Sequence, residues 1–402
     1  MNDPPKELAG TSVIRTSCSK LDLHASAQSK KRKCNEPGKR NNDVKEEEVP
    51  KWTWPPSDSS SFHLIKITKK HVVYCVASDS SEDILVKVIK SESPAAKDLK
   101  NLNNELEVGK IIMHHSLHPS LRCSYERTMC QNKQAMLLEW AKGHPISEID
   151  FIKTHNIEFF LEVAREIVSA LLAMHMKKII HMNVTCDHII ADPKTKLLKL
   201  IGYGSSVSNM GKNSYFSNEE LLDKDLRYVS PEQTGRVNRE VDFRSDFYSL
   251  GIVFYRLLTG EYPFESNDAM KLIHMHILQD PLPVNIINPR IPDALSDMVS
   301  ILLKKNAEER YLSAKGIIHD LDFMISEYPS DEKLTSVLLK QHDTPENLFL
   351  RQKLYGRCDQ YESLVSAFDR VTFTSFEVIF VAGESGTGKC NISLITRNKV
   401  MK

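Results

Sequence analysis

A run near the end of the chain, Gly383-Glu-Ser-Gly-Thr-Gly388-Lys389-Cys390, has the residue types and spacing to hold phosphate. It follows Glu377-Val-Ile-Phe-Val-Ala382, which reads as a strand. At Gly383 and Gly388 backbone N–H groups can approach phosphate oxygens with no Cβ in the way, and Lys389 would reach the terminal phosphates. Cys390 stands where a hydroxyl would bind magnesium, and a thiol is a poor ligand for that ion. Twelve residues follow Cys390, too few for a further acidic motif or the core of a parallel sheet. As it stands, the loop is expected to be inert. Other residues able to do chemistry lie earlier: Lys87, Glu105, the triplet His181-Met182-Asn183, His188 and the run Ile201-Gly202-Tyr203-Gly204.

The elements that position these residues fall into blocks. Residues 1–55 are rich in Ser, Lys, Asn and Glu and are expected to be a disordered tail. Its Lys30-Lys31-Arg32-Lys33 reads either as a solvated basic patch or as a nuclear import signal. Short β-type runs follow at Phe62–Ile67, Val72–Ala77, Ile84–Ile89 and Met136–Trp140. Between the last two, a helix is predicted over Ala95–His114, with Leu99, Leu102, Leu106 and Ile111 as its apolar stripe. From Ile157 the pattern is helical, interrupted by a short strand at Leu197–Ile201 and resumed at Asp246, Asp268–Gln279, Leu295–Leu303 and Ser313–Ile325. Asp246 is placed at a helix N-terminus, where backbone N–H groups can be donated to its carboxylate, and Gly260 ends that helix.

Composition narrows the class. The 402 residues carry 53 basic and 53 acidic side chains, so no global field draws the chain to nucleic acid or to a membrane. Eight cysteines without a Cys-x-x-Cys pair suit a reducing compartment. No apolar run approaches the length of a membrane span. The expected location is the cytoplasm, with the nucleus open through the basic run.

The stretch from Arg227 through Ser230-Pro231-Glu232 to Asp246 and Phe264 resembles the activation-segment end and following buried helix of a protein kinase. Together with Pro289–Met298 and Lys305-Asn-Ala-Glu-Glu-Arg310-Tyr311, it is similar to the kinase domain of large hybrid signalling proteins in which an AAA-type ATPase follows. Lys353-Leu-Tyr-Gly-Arg357 and the glycine loop sit where that ATPase would begin. The resemblance implies an α+β, bilobal protein-kinase-like fold with a β-rich small lobe and a helical large lobe. The expected boundaries are 56–327 for that domain, 328–350 for a linker and 351–402 for the start of a P-loop ATPase cut short.

By the same resemblance, Lys87 would grip nucleotide phosphates and Glu105 would be its ion-pair partner; an exposed strand lysine and an exposed helix glutamate are the alternative. No glycine lies between Ser61 and Lys87, so the glycine-rich phosphate loop is missing, and Lys69 and Lys70 are either point charges for phosphate or part of a solvated turn. Asn183 takes the place of the catalytic Asp: it can orient a hydroxyl but cannot take its proton. His188 replaces a metal-binding Asn, and Gly202 the Asp that carries the main metal carboxylate. Glu232 and Arg310 match the buried ion pair of the large lobe, and Asp246 matches the Asp that ties the catalytic loop's backbone down. The expectation is a pseudokinase that binds signalling proteins, with ATP held weakly through Lys87 and no magnesium. An active serine/threonine kinase transferring the ATP γ-phosphate to a protein hydroxyl is the alternative.

Overall fold

Alternating β-branched and apolar residues without glycine build the first half as an antiparallel sheet. The computed structural model of the chain describes residues 62–76, 83–149, 156–208, 216–217, 220–221, 223–237, 239–328, 334, 337–344, 358–370 and 379. Strands β1 (Phe62–Ile67), β2 (His71–Val76) and β3 (Ile84–Ile89) precede helix α1 (Ala96–His115) and strands β4 (Ser124–Cys130) and β5 (Lys133–Glu139). The sheet order is β1-β2-β3-β5-β4, which puts β3 in the centre. Every residue of β3 is buried except Lys87. A lone, half-buried cation in an otherwise apolar central strand needs a partner, and α1 supplies it. Leu102 and Leu106 of α1 pack on Leu85 and Ile89 of β3, which points Glu105 at the same strand. Gly109 permits this close approach, since a Cβ there would lie 2.0 Å from Ser124 Oγ of β4.

The second half is helical. After β6 (His144–Pro145) come α2 (Ile157–Met176), β7 (Ile179–Ile180), β8 (Ile189–Asp192), β9 (Leu197–Leu200) and β10 (Val207–Ser208). Then follow α3 (Arg244–Thr259), α4 (Ala269–Leu278), α5 (Val284–Ile287), α6 (Asp293–Leu302), α7 (Ala314–Glu327) and α8 (Cys358–Arg370). Asn156 caps α2 by accepting from Phe159 N, and Gly260 ends α3 in a left-handed conformation (φ 78°) that a side chain would strain. Phe160 of α2 and Phe254 of α3 meet edge to face at 5.3 Å in one continuous apolar core. The β-rich first half and helical second half form the expected bilobal, kinase-like α+β architecture.

Two buried carboxylates set the large half. Glu232, 2% exposed, takes Arg310 Nη1 at 2.6 Å and Nη2 at 2.9 Å, while Ser245 Oγ donates to it at 2.7 Å. Asp246, 1% exposed, does not cap its own helix: α3 begins at Arg244, and Phe243 is its cap residue. Its carboxylate accepts from His181 N (2.9 Å) and Met182 N (2.8 Å), with His175 Nε2 at 2.8 Å, and so ties down the loop backbone as the kinase resemblance implies for this position.

Most predicted elements lie within one or two residues of expectation; strand β4, the short strands β6, β7, β8 and β10 and the short helix α5 have no predicted counterpart, and β4 is the longest of them. It is a sheet edge, and its Ser-Tyr-Glu-Arg-Thr-Met-Cys sequence offers no apolar run because much of it faces solvent. In α1 the stripe turns inward at Val108 and Ile112, leaving Ile111 only partly buried. Residues 337–344, placed in the expected linker, pack on the helical half: the Asp343 carboxylate accepts from Leu312 N at 2.7 Å and Ser313 N at 3.0 Å. The tail 1–55 lies outside the described residues.

Replacing Arg310 with Leu strands the buried Glu232 charge and should lower unfolding free energy by about 3–5 kcal/mol in urea titrations. Breaking the exposed Lys196–Glu162 pair with Lys196→Ala should cost less than about 1 kcal/mol.

Candidate active-site cleft

Strand β3 and helix α1 bring Lys87 Nζ to 2.5 Å from Glu105 Oε2. The partnership expected from the sequence is therefore formed, but it is not a pair. Arg122 Nη2 donates to the other oxygen, Glu105 Oε1, at 2.8 Å. Burial pushes the Glu105 carboxyl up, yet Lys87 and Arg122 outweigh it and hold its pKa down at about 2. One carboxylate thus serves two cations. Arg122 lies just before β4, in a segment without a motif, and nothing in its sequence neighbourhood marks it. Its backbone N–H donates to Tyr203 Oη at 2.9 Å, and Asn104 Nδ2 of α1 reaches Ser206 O at 2.7 Å. These bonds tie α1 to the Ile201–Ser206 segment below it.

The loop after β7 carries Asn183 and His188. Its backbone is strained at Met182, where φ is +65°, and the two bonds from Asp246 hold it there. His181 Nδ1 accepts from Asn183 N at 3.2 Å, which leaves its Nε2–H to donate to Ile201 O at 3.1 Å. Asn183 does not project freely as a hydroxyl-orienting group would: its carboxamide nitrogen lies 3.2 Å from His188 Nδ1. That same ring nitrogen lies 2.9 Å from Asn183 O and 3.1 Å from Thr185 Oγ1. Burial first, then the neighbouring His181 and the cations Lys224 and Lys87, lower the His188 pKa to about 4, so the ring is neutral at physiological pH. Asp187, next to it, is an exposed acid paired with Lys66 at 3.5 Å.

Gly202 and His188 share one space. A Cβ on Gly202 would lie 2.6 Å from His188 Cδ2 and 2.9 Å from Nε2. The backbone at Gly202 has φ +89°, which disfavours a side chain independently. The imidazole therefore occupies the volume that a residue-202 side chain would need, and the two departures from the kinase pattern are one structural event. The residues do not fit magnesium: Asn183 is turned to His188, His188 offers a nitrogen, and Gly202 has no side chain. Among the described residues, no group of three or more His, Cys, Asp or Glu side chains could hold a metal ion.

The β1–β2 turn is closed by Thr68 and His71 without glycine, as His71 N donates to Thr68 Oγ1 at 2.9 Å. Lys70 is neither open to phosphate nor merely solvated. Its Nζ reaches Asp98 and Asp223, each at 2.9 Å, and hydrogen bonds to Asp223 and then Asp98 raise its pKa. Lys69 is exposed. A residue the sequence reading passed over, Lys224, borders a small cavity together with Met182, Asn183, Phe216 and Asp225. Its Nζ donates to Ser205 Oγ and stands 4.9 Å from the Phe216 ring centroid. Gly383, Gly388, Lys389 and Cys390 lie outside the described residues.

The protein kinase domain family matches residues 69–321, which includes the whole of this cleft. The chain belongs to that family. It is 34% identical over 185 residues to the hybrid signal transduction histidine kinase G of Dictyostelium discoideum, covering 41% of this chain and 5% of that protein. It is 28% identical over 260 residues to histidine protein kinase 1 of Candida albicans, covering 58% of this chain and 10% of the other. Against the serine/threonine-protein kinase PknB of Mycobacterium tuberculosis the identity is 31% over 161 residues, or 40% and 25% of the two chains. The match thus spans a quarter or less of each of these relatives.

Two measurements test the cleft. Gly202→Ala should destabilise the protein by about 1–3 kcal/mol through overpacking and backbone strain, and much of that loss should vanish in a His188→Ala background, giving a favourable coupling in a double-mutant cycle. Stability should also fall on acidification in two stages. Neutral His188 and His71, each with a pKa lowered to about 4 mainly by burial, stabilise fully above the ordinary 6.5 and lose that contribution as pH falls toward 4. Glu105 and Glu232, lowered to about 2 because their cations outweigh burial, contribute fully above 4.5 and lose it toward pH 2. Urea midpoints measured from pH 8 to 3 should decline below about 6.5; a rise between pH 7 and 5 would contradict the assignment.

Proposed function

We propose that the protein is a signalling module with a kinase fold and no phosphotransferase chemistry, a pseudokinase that works by binding other signalling proteins. The observation that carries this reading is the joint state of Asn183, His188 and Gly202. Phosphoryl transfer needs a carboxylate to orient and deprotonate the hydroxyl and oxygen ligands to hold the metal. Here the first position is an amide bonded to the second, and the second fills the space of the third.

The parts that keep the scaffold folded and the small lobe docked are retained: Glu232–Arg310, Asp246 with its loop, and Lys87–Glu105. Lys87 remains the residue through which ATP would be held, at reduced affinity and without magnesium. The formed Lys87–Glu105 contact also favours a second reading, an active serine/threonine kinase that handles its nucleotide in an unorthodox way.

The family match and the similarity to proteins named histidine kinases, one of them a hybrid signal transduction kinase, support a place for residues 56–327 at the head of such an assembly. The motif at Gly383–Cys390 supports a nucleotide-binding domain of AAA type beginning near 351, after a connection at 328–350. A cytoplasmic or nuclear setting accords with the cysteine pattern and the basic run at Lys30–Lys33. No helix among the described residues is long and apolar enough to cross a membrane.

Purified protein incubated with labelled ATP, a generic protein substrate and Mg²⁺ or Mn²⁺ should show no transfer above background. Transfer that disappears in Lys87→Met would favour the second reading over the first.

A further inference from the structure

The β1–β2 hairpin, which has no glycine, reaches from the small lobe to the large one through its lysines. Its turn is fixed by its own bonds: Thr68 N donates to His71 O at 2.9 Å, and His71 N to Thr68 Oγ1 at 2.9 Å. Lys90 N donates to Lys70 O at 2.9 Å and fastens the turn to the end of β3. Beyond a bulge at Leu64–Lys66, Lys66 pairs with Val73, which pairs on its other side with Lys87. Directly paired residues project to one face of a sheet, so Lys66 shares the face of Lys87. From there Lys66 Nζ reaches Asp187 Oδ2 at 3.5 Å, while Ser147 Oγ donates to the other carboxylate oxygen at 3.1 Å. Asp187 adjoins His188 on the loop that also carries Asn183, so this contact joins a small-lobe strand to the cleft's own loop.

The second crossing is a network. Asp223, in the segment before Arg227, takes Lys70 Nζ at 2.9 Å and Lys97 Nζ at 2.7 Å, and Lys70 also holds Asp98 at 2.9 Å. Hydrogen bonds from Lys97 and then Lys70 hold the Asp223 carboxyl below its ordinary pKa. One large-lobe carboxylate thereby joins the β1–β2 turn to the first turn of α1. We propose that these contacts form a clasp that holds the two lobes closed with no ligand between them, Lys66 gripping Asp187 and Lys70 with Lys97 gripping Asp223. In kinases, closure of the domain forms around a bound ligand. Here the chain's own charges supply it. A single exposed pair contributes little, but several charges held in one network contribute more. The side chains that cross are between 29% and 62% exposed, so salt screens the clasp. The closed shape is the surface that a signalling partner meets, and the clasp is independent of whether the cleft transfers phosphate.

The test carries spin labels on noncanonical residues at Glu126 of β4 and Lys271 of α4, exposed positions on opposite lobes, in the full chain without nucleotide. Double electron–electron resonance then reads the distance between them. At about 20 mM NaCl the distribution should be one narrow peak, and about 0.5 M NaCl should add a second, longer population. Asp187→Asn/Asp223→Asn should show that longer population already at low salt, with the open-to-closed ratio raised about tenfold, or about 1.4 kcal/mol, and little further response to salt. Reversing one pair separates a clasp from a general effect of substitution: Lys66→Glu should open the lobes, and Lys66→Glu/Asp187→Lys should close them again. Circular dichroism reports whether each variant is folded, and if one is not, the salt series on the unsubstituted chain decides. A distribution unchanged by salt or by the double asparagine variant, or a reversed pair as open as Lys66→Glu alone, would overturn the proposal. Phosphoryl transfer by the same samples would defeat the non-catalytic reading and leave the clasp standing.

Discussion

The carboxylate of Asp246 is the contact on which the rest of the cleft depends. Almost wholly buried, it receives the backbone N–H groups of His181 and Met182 and lies beside His175 Nε2. Those bonds hold Met182 at φ +65°, a conformation that L residues with long side chains adopt only under constraint. The loop so fixed presents Asn183 and, through a short 3₁₀ turn, His188. A side chain in the first turn of a large-lobe helix thus decides where residues of the cleft stand. The loop is held in place, and it displays an amide and an imidazole where the kinase pattern has a carboxylate and an oxygen ligand for magnesium.

Substitution at one site has been absorbed by its neighbour. A histidine at 188 is bulky, and it is accommodated because position 202 has no side chain and a backbone that only glycine adopts without strain. The Asn183 carboxamide then turns to the imidazole. Restoring a side chain at 202 alone meets an obstacle made by the His188 ring. The departures from the kinase pattern at 188 and 202 are therefore coupled in structure, whereas Glu105 makes its contact with Lys87 and also accepts from Arg122.

Much of this was legible in the chain before its structure. Period-two and period-3.6 patterns placed the strands and helices, because burial on one face leaves a strong trace in composition. The ion pair of Glu232 with Arg310 and that of Lys87 with Glu105 followed from motif positions. What the sequence withheld depends on distance in three dimensions. Arg122 and Lys224 belong to no motif, and only folding brings the first to Glu105 and the second beside Asn183. The clash between a 202 side chain and the His188 ring needs the left-handed backbone at Gly202, which a glycine permits but does not announce. Lys70 reads equally well as a solvated charge until Asp98 and Asp223 are seen at its Nζ. Edge strand β4 escaped because its outward residues are polar.

The central claim is that the scaffold persists while its metal site has been closed by a side chain. The most direct measurement is a crystal structure grown with ATP and Mn²⁺ and recorded at the manganese absorption edge. The account predicts no anomalous peak in coordinating contact with residues 183, 188 or 202, and a His188 ring that remains against Gly202. A manganese ion held by protein oxygens at that place, bridging to bound phosphates, would contradict it.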